Sequence, residues 1–587
     1  MKSSLALLSL LSLLVCPINP PVRAQNDIHK TYYDKAYKEY HYGVPFLYLE
    51  GTDYEVGYQY GYLLKDELHA VYEEFNDFKE NMMEREIKYL PWYQRFFANL
   101  FGSLVLKHKI NKYVDQLPDD IHNQLKGMAD GADMPVRFFY EVNLFGDFLS
   151  RGCSSFIIKK GNKIYHARNL DTPLNLIARY PVVVCYNING KQKYTDIGFI
   201  SGLMISTGFN ESGISFSEDS NNNPMAFDKN NSNLLVERNR IITRAHNLKE
   251  ADSLVNALFI PEGYIFTLSD SKEKQANVYD AIGKIKAATP LKDYQYVANR
   301  TISYTLGKKS ESIYAGNFHD ISREIKFSEL IDTTKTDIVD EAIDILSNVD
   351  FYHYTDSIEV WIDAINNYQT IQSAVFDLAD STVYFTYNTH YAAWSRWLKY
   401  NYITGEAGVY READEKLKRA DVLKFTDICK EYQAADWRDS TMVDSLVRHI
   451  IDSQIENYFC LDLLCQQYLY RFKAPDMTIA YADKMIKKYP DIVAGYYYKG
   501  LALEEQKQYG NAVTQYMKAF NCTISCEYYL AGIYEHLAYS NNFLGNKEIA
   551  REYAVKALAI HNQYWIPYHL KEKIEKLEKI AAIELKR

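Results

Sequence analysis

A cysteine directly after a glycine, Gly152-Cys153, opens the run Cys153-Ser154-Ser155-Phe156, and further along stands Arg168-Asn169-Leu170-Asp171. Between them an apolar stretch turns at Lys160-Gly161-Asn162-Lys163 and comes back, the pattern of a β-hairpin with the cysteine at its first residue. Amide cleavage by a terminal cysteine needs a thiol, a base, a group that orients the base, and donors for the oxyanion. If the Gly152-Cys153 bond is cut, Cys153 carries a free α-amino group beside its own sulfur, and nucleophile and base share one residue. An α-amino group with a pKa of roughly 7.7 to 8 is partly unprotonated near neutral pH and can take the thiol proton. The hairpin carries Asp171 back toward Cys153, where it can hydrogen-bond the amino group. Arg168 can lower the thiol pKa or receive a substrate carboxylate or carbonyl. Plainer readings exist: Arg168 and Asp171 can pair across a turn, and a lone cysteine at a strand start is usually a small buried hydrophobe. A further scheme keeps the chain intact and uses His166, in the returning strand, as base.

These residues must be positioned by a chain of 587 residues, more than one hydrophobic core usually supports. Nearly half of it is apolar and a quarter charged, with a net charge of -10 that is spread rather than blocked, so the class is globular and nucleic acid is not expected as a partner. Lys2, the apolar run Leu5 to Val15 and the stretch ending Val22-Arg23-Ala24 read as a secretory signal peptide over 1–24, which predicts export to the periplasm or the outside. A lipid anchor at Cys16 is the lesser alternative, because Val15 is larger than the residue such signals carry there. No later stretch reaches about 18 unbroken apolar residues, so no transmembrane segment is expected. The remaining cysteines (153, 185, 429, 460, 465, 522 and 526) are odd in number, which leaves at least one thiol free; Cys460 with Cys465 and Cys522 with Cys526 read as helix-face core or bridges.

Residues 25–152 read as mainly helical after a short extended start at Gly43 to Leu49. Thr52 or Asp53 can cap a helix there, and the glycines of Gly51 to Gly61 and of Gly127 to Gly131 allow close backbone approach. From Cys153 strands dominate, at 155–159, 163–168, 182–186, 214–216, 264–269, 277–281 and 374–387, with helices near 233–258 and 337–348, so the fold class is α+β. Past about 405 helical periodicity takes over. Ala494 to Leu503 with Ala512, Tyr516 and Ala519, a second copy with Tyr528, Gly532, Ala550, Ala554 and Ala557, and a weaker copy ending at Pro490 resemble tetratricopeptide repeats.

Gly152-Cys153-Ser154-Ser155, Gly161 and Arg168-Asn169-Leu170-Asp171 resemble the nucleophile hairpin of the N-terminal nucleophile hydrolases, the group with penicillin acyltransferase, acid ceramidase and choloylglycine hydrolase. The glycine pattern of 51–61 and 125–131 is similar to the segment that precedes the cut in the acyltransferase branch. The resemblance, over roughly 43–395, implies a four-layer αββα sandwich over 153–400. It also implies a helical pro-segment over 25–152 that is separated by self-cleavage between Gly152 and Cys153; the helical-repeat domain would follow over 405–587. Gly208 to Ser215 resembles the turn before the strand that bears one oxyanion asparagine. An ungapped reading lands on Ser220, and a one-residue adjustment selects Asn221. Tyr296 to Asn299 is similar to the segment that supplies the second asparagine, Asn299, and Ser322-Arg323 matches the later arginine, Arg323. The activity implied is hydrolysis or transfer of the acyl group of a linear N-acyl amide, or of a peptide, through a Cys153 thioester. The alternative is an interaction protein whose repeats hold a partner while the enzyme-like domain is idle. No metal or nucleotide cofactor is expected, because the 14 histidines are scattered and no phosphate-binding glycine loop follows a strand.

Overall fold

A computed structural model describes residues 30–89, 110–112, 114–146, 153–173, 177–200, 203, 205–221, 239–258, 260–283, 285–300, 316–332, 334–355, 358–563 and 571–582. The signal peptide expected over 1–24, with Cys16, and Gly152 lie outside the described residues.

Two sheets organise the first two thirds of the chain. The larger has ten strands in the order β1-β2-β3-β6-β7-β8-β9-β10-β11-β12. Upstream of Cys153 it takes β1 (Thr31–Tyr33), β2 (Ala36–His41) and β3 (Val44–Gly51). Downstream it takes β6 (Pro181–Ile188), β7 (Tyr194–Phe199), β8 (Thr207–Asn210), β9 (Ile214–Ser220), β10 (Ile260–Asp270), β11 (Gln275–Gly283) and β12 (Ile285–Pro290). The smaller sheet has seven, in the order β13-β4-β5-β14-β15-β16-β17. They are β4 (Cys153–Lys160), β5 (Lys163–Asp171), β13 (Tyr294–Val297), β14 (Thr370–Asp377), β15 (Thr382–Tyr387), β16 (Trp397–Asn401) and β17 (Ala407–Arg411).

The period-two alternation of β6 shows how the layers form. Val183 packs with Phe46, Ile197 and Phe209 against Ala374, Phe376, Val383 and Phe385 of the smaller sheet. Its neighbours Val182 and Val184 face the other way, into the helices. Each such side chain removed from water contributes about 1.5–3 kcal/mol. On that outer face lie α1 (Asp53–Leu63), α2 (Lys65–Lys88), α3 (Asp119–Ala132), α4 (Val136–Gly146), α5 (Asn239–Arg244) and α6 (Leu248–Ala257). The outer face of the smaller sheet, with Phe156, Ile158, Ala167 and Val375, is covered by α7 (Gly316–Leu330) and α8 (Ile338–Leu346) through Phe327, Ala342, Ile343 and Leu346.

Helix α1 starts at a capping box: Thr52 Oγ1 accepts from the Glu55 nitrogen, and Glu55 Oε2 accepts from the Thr52 nitrogen (2.8 Å). It then lies against α3 at backbone contact. A Cβ at Gly57 would stand 2.1 Å from the Gln124 carbonyl oxygen, and one at Gly127 2.2 Å from that of Tyr54.

The remaining helices follow in sequence: α9 (Ala420–Ala434), α10 (Ser440–Ser453), α11 (Tyr458–Gln466), α12 (Pro475–Lys488), α13 (Val493–Glu505), α14 (Tyr509–Ala519), α15 (Glu527–Phe543), α16 (Lys547–Gln563) and α17 (Lys571–Ala581). Tyr458, Leu461, Met485, Tyr489 and Tyr497 pack with Phe351, Tyr352, Val360 and Ala364, so this region is seated on the sheet-bearing part. From the chain before Cys153, Arg85 of α2 reaches it, donating to the Ala435 carbonyl (2.7 Å) beside Asp436 (3.4 Å).

Two sequence expectations need amendment. The extended start of the 25–152 segment is longer than Gly43 to Leu49, because the segment supplies three strands of the larger sheet before its helices α1 to α4, with β3 paired parallel to β6. The smaller sheet also runs past 405, since β17 pairs with β16. All seven described cysteines carry free thiols. Among the described residues no helix is long and apolar enough to cross a membrane, and no group of three or more His, Cys, Asp and Glu side chains is arranged to hold a metal ion.

Candidate active site

Strands β4 and β5 pair along their length, with Cys153 opposite Leu170 and Ser155 opposite Arg168. Phe156, Ile158 and Ala167 point to α7 and α8. Alternation therefore aims Cys153, Ser155, His166 and Arg168 into the space between the sheets.

Every polar group of Cys153 is addressed there. Its backbone nitrogen donates to Asn299 Oδ1 (3.1 Å), its carbonyl accepts from Arg323 Nη1 (2.8 Å), and Arg168 Nη2 lies 3.4 Å from Sγ. The thiol is fully buried, and burial pushes it up to about 11 against the pull of the Arg168 charge. Arg168 is pinned by neutral acceptors, the carbonyls of Ser206 and Glu218 and Thr207 Oγ1 (2.7 Å), so its charge still acts on the sulfur.

Arg323 reaches from α7 to the same end of β4, on the face that Ser154 shares with Phe156 and Ile158. Its Nη2 donates to Asn299 Oδ1 (2.9 Å) and pairs with Asp320 (2.5 Å), and its Nη1 also reaches Ser154 Oγ (3.1 Å). Burial opposes its charge, but Asp320, Tyr296 and Asp171 outweigh that and hold it raised. Asn299, just past β13, donates its Nδ2 to the Ser220 carbonyl at the end of β9 (2.8 Å). Asn221 is next in the chain; it is buried, and its nitrogen donates to the Gly263 carbonyl (2.9 Å).

Asp171 ends β5, one residue past the partner of Cys153. Thr370 Oγ1 donates to one carboxylate oxygen (2.7 Å) and Asn367 Nδ2 to the other (2.8 Å). Burial raises its pKa to about 6, with the Arg323 charge and these hydrogen bonds working against it.

Thus Cys153, Arg168, Asn299 and Arg323 are joined by direct hydrogen bonds, Asp171 adjoins them on the strand, and Asn221 adjoins the Asn299 contact. His166 lies in the same layer but is occupied: its ring nitrogens meet Ser215 Oγ and Ser217 Oγ, each at 2.8 Å. Burial pushes it down to about 3, which keeps it neutral.

Sequence reasoning missed Asp219, which accepts from Ser155 Oγ (2.7 Å) and, like Asp171, is raised by burial to about 6. Its signal was present in β9, where Ser215, Ser217 and Asp219 alternate with apolar or outward positions and all three are buried. Asp320, Asn367 and Thr370 were also missed, and they carry no local pattern. Beside the thiol lies an apolar wall of Leu170, Ala178, Phe199 and Ile371, with Ile177 and Tyr387 packed on it. The site therefore combines a nucleophile, two guanidinium groups, side-chain amides and an apolar flank, a set suited to attack on an acylated carbonyl.

No family model matches the chain. It is similar to protein dcd1B of Dictyostelium discoideum, 25% identical over 183 residues, which is 29% of this chain and 36% of the relative. Protein dcd1A of the same organism is 25% identical over 179 residues, 27% of this chain and 40% of the relative. The match spans less than half the length of either. Among solved structures, the chain is similar to a Caenorhabditis elegans N-acylethanolamine-hydrolyzing acid amidase ortholog, with TM-score 0.30, 16% identity, and 38% of this chain and 92% of that one covered. It is also similar to penicillin V acylase from Agrobacterium tumefaciens (TM-score 0.30, 12% identity, 43% and 86% covered) and to a mutant conjugated bile acid hydrolase from Clostridium perfringens (TM-score 0.29, 11%, 44% and 96%).

Proposed function

We propose that this chain is an exported, self-processing cysteine hydrolase or acyltransferase of the N-terminal nucleophile kind, acting on a linear N-acyl amide. The observation that carries the reading is the environment of Cys153: an amide carbonyl acceptor on its nitrogen, a cation on its carbonyl and a second cation at its sulfur. A core cysteine also needs partners for its backbone, but not one buried guanidinium on its carbonyl and a second at its sulfur.

In the first stage Sγ attacks the Gly152 carbonyl carbon, and its proton passes by way of the Asp171 carboxylate to the departing Cys153 nitrogen. The C–N bond to Cys153 breaks, a thioester forms, and water hydrolyses it to leave a carboxylate on Gly152 and a free amine on Cys153. Asn299 Oδ1, already on that nitrogen, then accepts a hydrogen bond from the new amine. In the second stage the amine takes the thiol proton, which offsets a thiol held near 11 by burial. The thiolate attacks the substrate carbonyl and the oxyanion is met by the amides of Asn299 and Asn221. The leaving amine departs with a proton, and water or a second amine takes the acyl group. The wall of Leu170, Phe199 and Ile371 favours an apolar acyl portion. In this reading the two sheets with their covering helices form the αββα sandwich of that hydrolase kind, and the C-terminal helices are tetratricopeptide-like.

The test is a denaturing gel with mass spectrometry on purified protein. The expected result is two chains, the second beginning at Cys153, and a single uncut chain for Cys153→Ala. A wild-type protein that stays one band of full mature size overturns the reading. Screening N-acyl amino acids, N-acyl ethanolamines, conjugated bile acids, penicillins and muropeptides, with Cys153→Ala as control, identifies the acyl group and the amine.

A further inference from the structure

The segment that holds Asp171 is itself held by the C-terminal helices. Asn367 and Thr370, which donate to the two oxygens of Asp171, close a segment that begins at Ile358-Glu359. Glu359 is 2% exposed, and the helical region meets it at several points. Oε2 accepts from the Tyr458 nitrogen (3.1 Å) and from Tyr489 Oη, Oε1 pairs with Lys488 Nζ (3.3 Å), and the Glu359 carbonyl accepts from the Phe459 nitrogen (2.8 Å). Asn457, which caps α11, donates to the Ile358 carbonyl (2.8 Å). A buried anion thus sits at the amino end of α11, where unpaired N–H groups and the helix dipole receive it.

A second contact arrives from the opposite side. Gln433, at the end of α9, donates to the Pro173 carbonyl, two residues past Asp171, while the Thr172 nitrogen donates to the Gln369 carbonyl (3.0 Å). The helical region therefore grips the chain on both sides of one carboxylate. Lys488 is 43% exposed, so the ion pair adds little stability, and in this proposal the buried hydrogen bonds to Glu359 serve to fix register.

We propose that the C-terminal helical region is a positioning device for Asp171, with Glu359 and Gln433 as its two holding points and Asn367 and Thr370 as the side chains that set the carboxylate. This rests on the proposed role of Asp171, and it makes the helices part of the reaction rather than an appended binding module.

The experiment uses the full chain made in a cell-free reaction, with wild type, Glu359→Gln, Gln433→Ala, Asn367→Ala and the Glu359→Gln/Asn367→Ala double variant. The first readout is the ionisation of Asp171, followed by its infrared carboxyl band against Asp171→Asn; the second is the rate at which the chain beginning at Cys153 appears, across pH. The groups that face Asp171 are Arg168 on its own strand, Arg323 from α7, Cys153 from β4, Asp219 from β9 and Tyr296 from β13, and all are kept in every variant. Losing donors to the carboxylate disfavours its charged form, so the midpoint near 6 moves to higher pH in Glu359→Gln and in Gln433→Ala. Misplacing the carboxylate by about 1 Å slows cleavage by roughly 10- to 100-fold. The loss in the double variant falls well short of the product of the two single losses, because Glu359 acts through Asn367 and Thr370. An unmoved Asp171 midpoint in both Glu359→Gln and Gln433→Ala, or losses that multiply in the double variant, overturns the proposal. If Glu359→Gln does not fold, Gln433→Ala decides alone. A wild-type chain that never cuts while the midpoint still moves counts against the proposed function and leaves this inference standing.

Discussion

At the scale of single residues, the site is defined by charges taken out of water. Asp171 titrates near 6, so self-cleavage should rise as pH passes through that value, and Asp171→Asn should flatten the rise and slow the reaction. Asp196 on β7 is a sharper thermodynamic case: it is 5% exposed and burial raises it to about 8. A carboxyl whose folded pKa lies above its unfolded value of about 3.9 contributes stability at low pH and loses it as pH climbs through the folded value, at about 1.4 kcal/mol per unit. Chemical denaturation of Asp196→Asn should therefore show a variant that gains on wild type steadily from about pH 4 to 8; a gap that does not change with pH would contradict the assignment. Cys153, Arg168 and Asp171 were legible in the sequence because one hairpin register relates all three. Asn367 was not, since its bond to Asp171 joins positions 196 apart in the chain and a loop has no periodicity to announce it.

At the scale of elements, the α1–α3 pair depends on the absence of four side chains. Gly57, Gly61, Gly127 and Gly131 each face the opposing backbone so closely that an added Cβ would lie within 2.2 Å of a carbonyl oxygen. Gly127→Ala must push the helices apart and should cost about 1–3 kcal/mol or more in a melting experiment. Gly510→Ala, on α14 with nothing within 4 Å, should instead stabilise by up to about 1 kcal/mol. The glycine spacing was visible in the sequence as permission for close approach, and the structure shows which two helices use it. Strand β7 went unseen for the opposite reason: all six of its residues are buried, with Asp196 and Gly198 among them, so it offers no alternation of polar and apolar positions. The tyrosine-rich edge formed by β1 and β2 was hidden by composition, because Lys38 and Glu39 interrupt any apolar pattern.

At the scale of the molecule, the larger sheet is assembled from both sides of the proposed cut. Strands β1 to β3 precede Gly152, and β3 lies parallel to β6, which follows it. Arg85 adds a tie from α2 to the C-terminal helices. The two products should therefore travel as one species in size-exclusion chromatography at neutral pH and come apart only in denaturant. Elution of a separate fragment ending at Gly152 would contradict this arrangement. The parallel β3–β6 pair also changes the reaction order of recovery from heat. An uncut Cys153→Ala chain finds its own missing strands by loop closure, at a rate independent of concentration. Severed material would instead have to meet its other half by collision, so its yield should fall on dilution, and the proposed cut would make the folded protein hard to rebuild once lost.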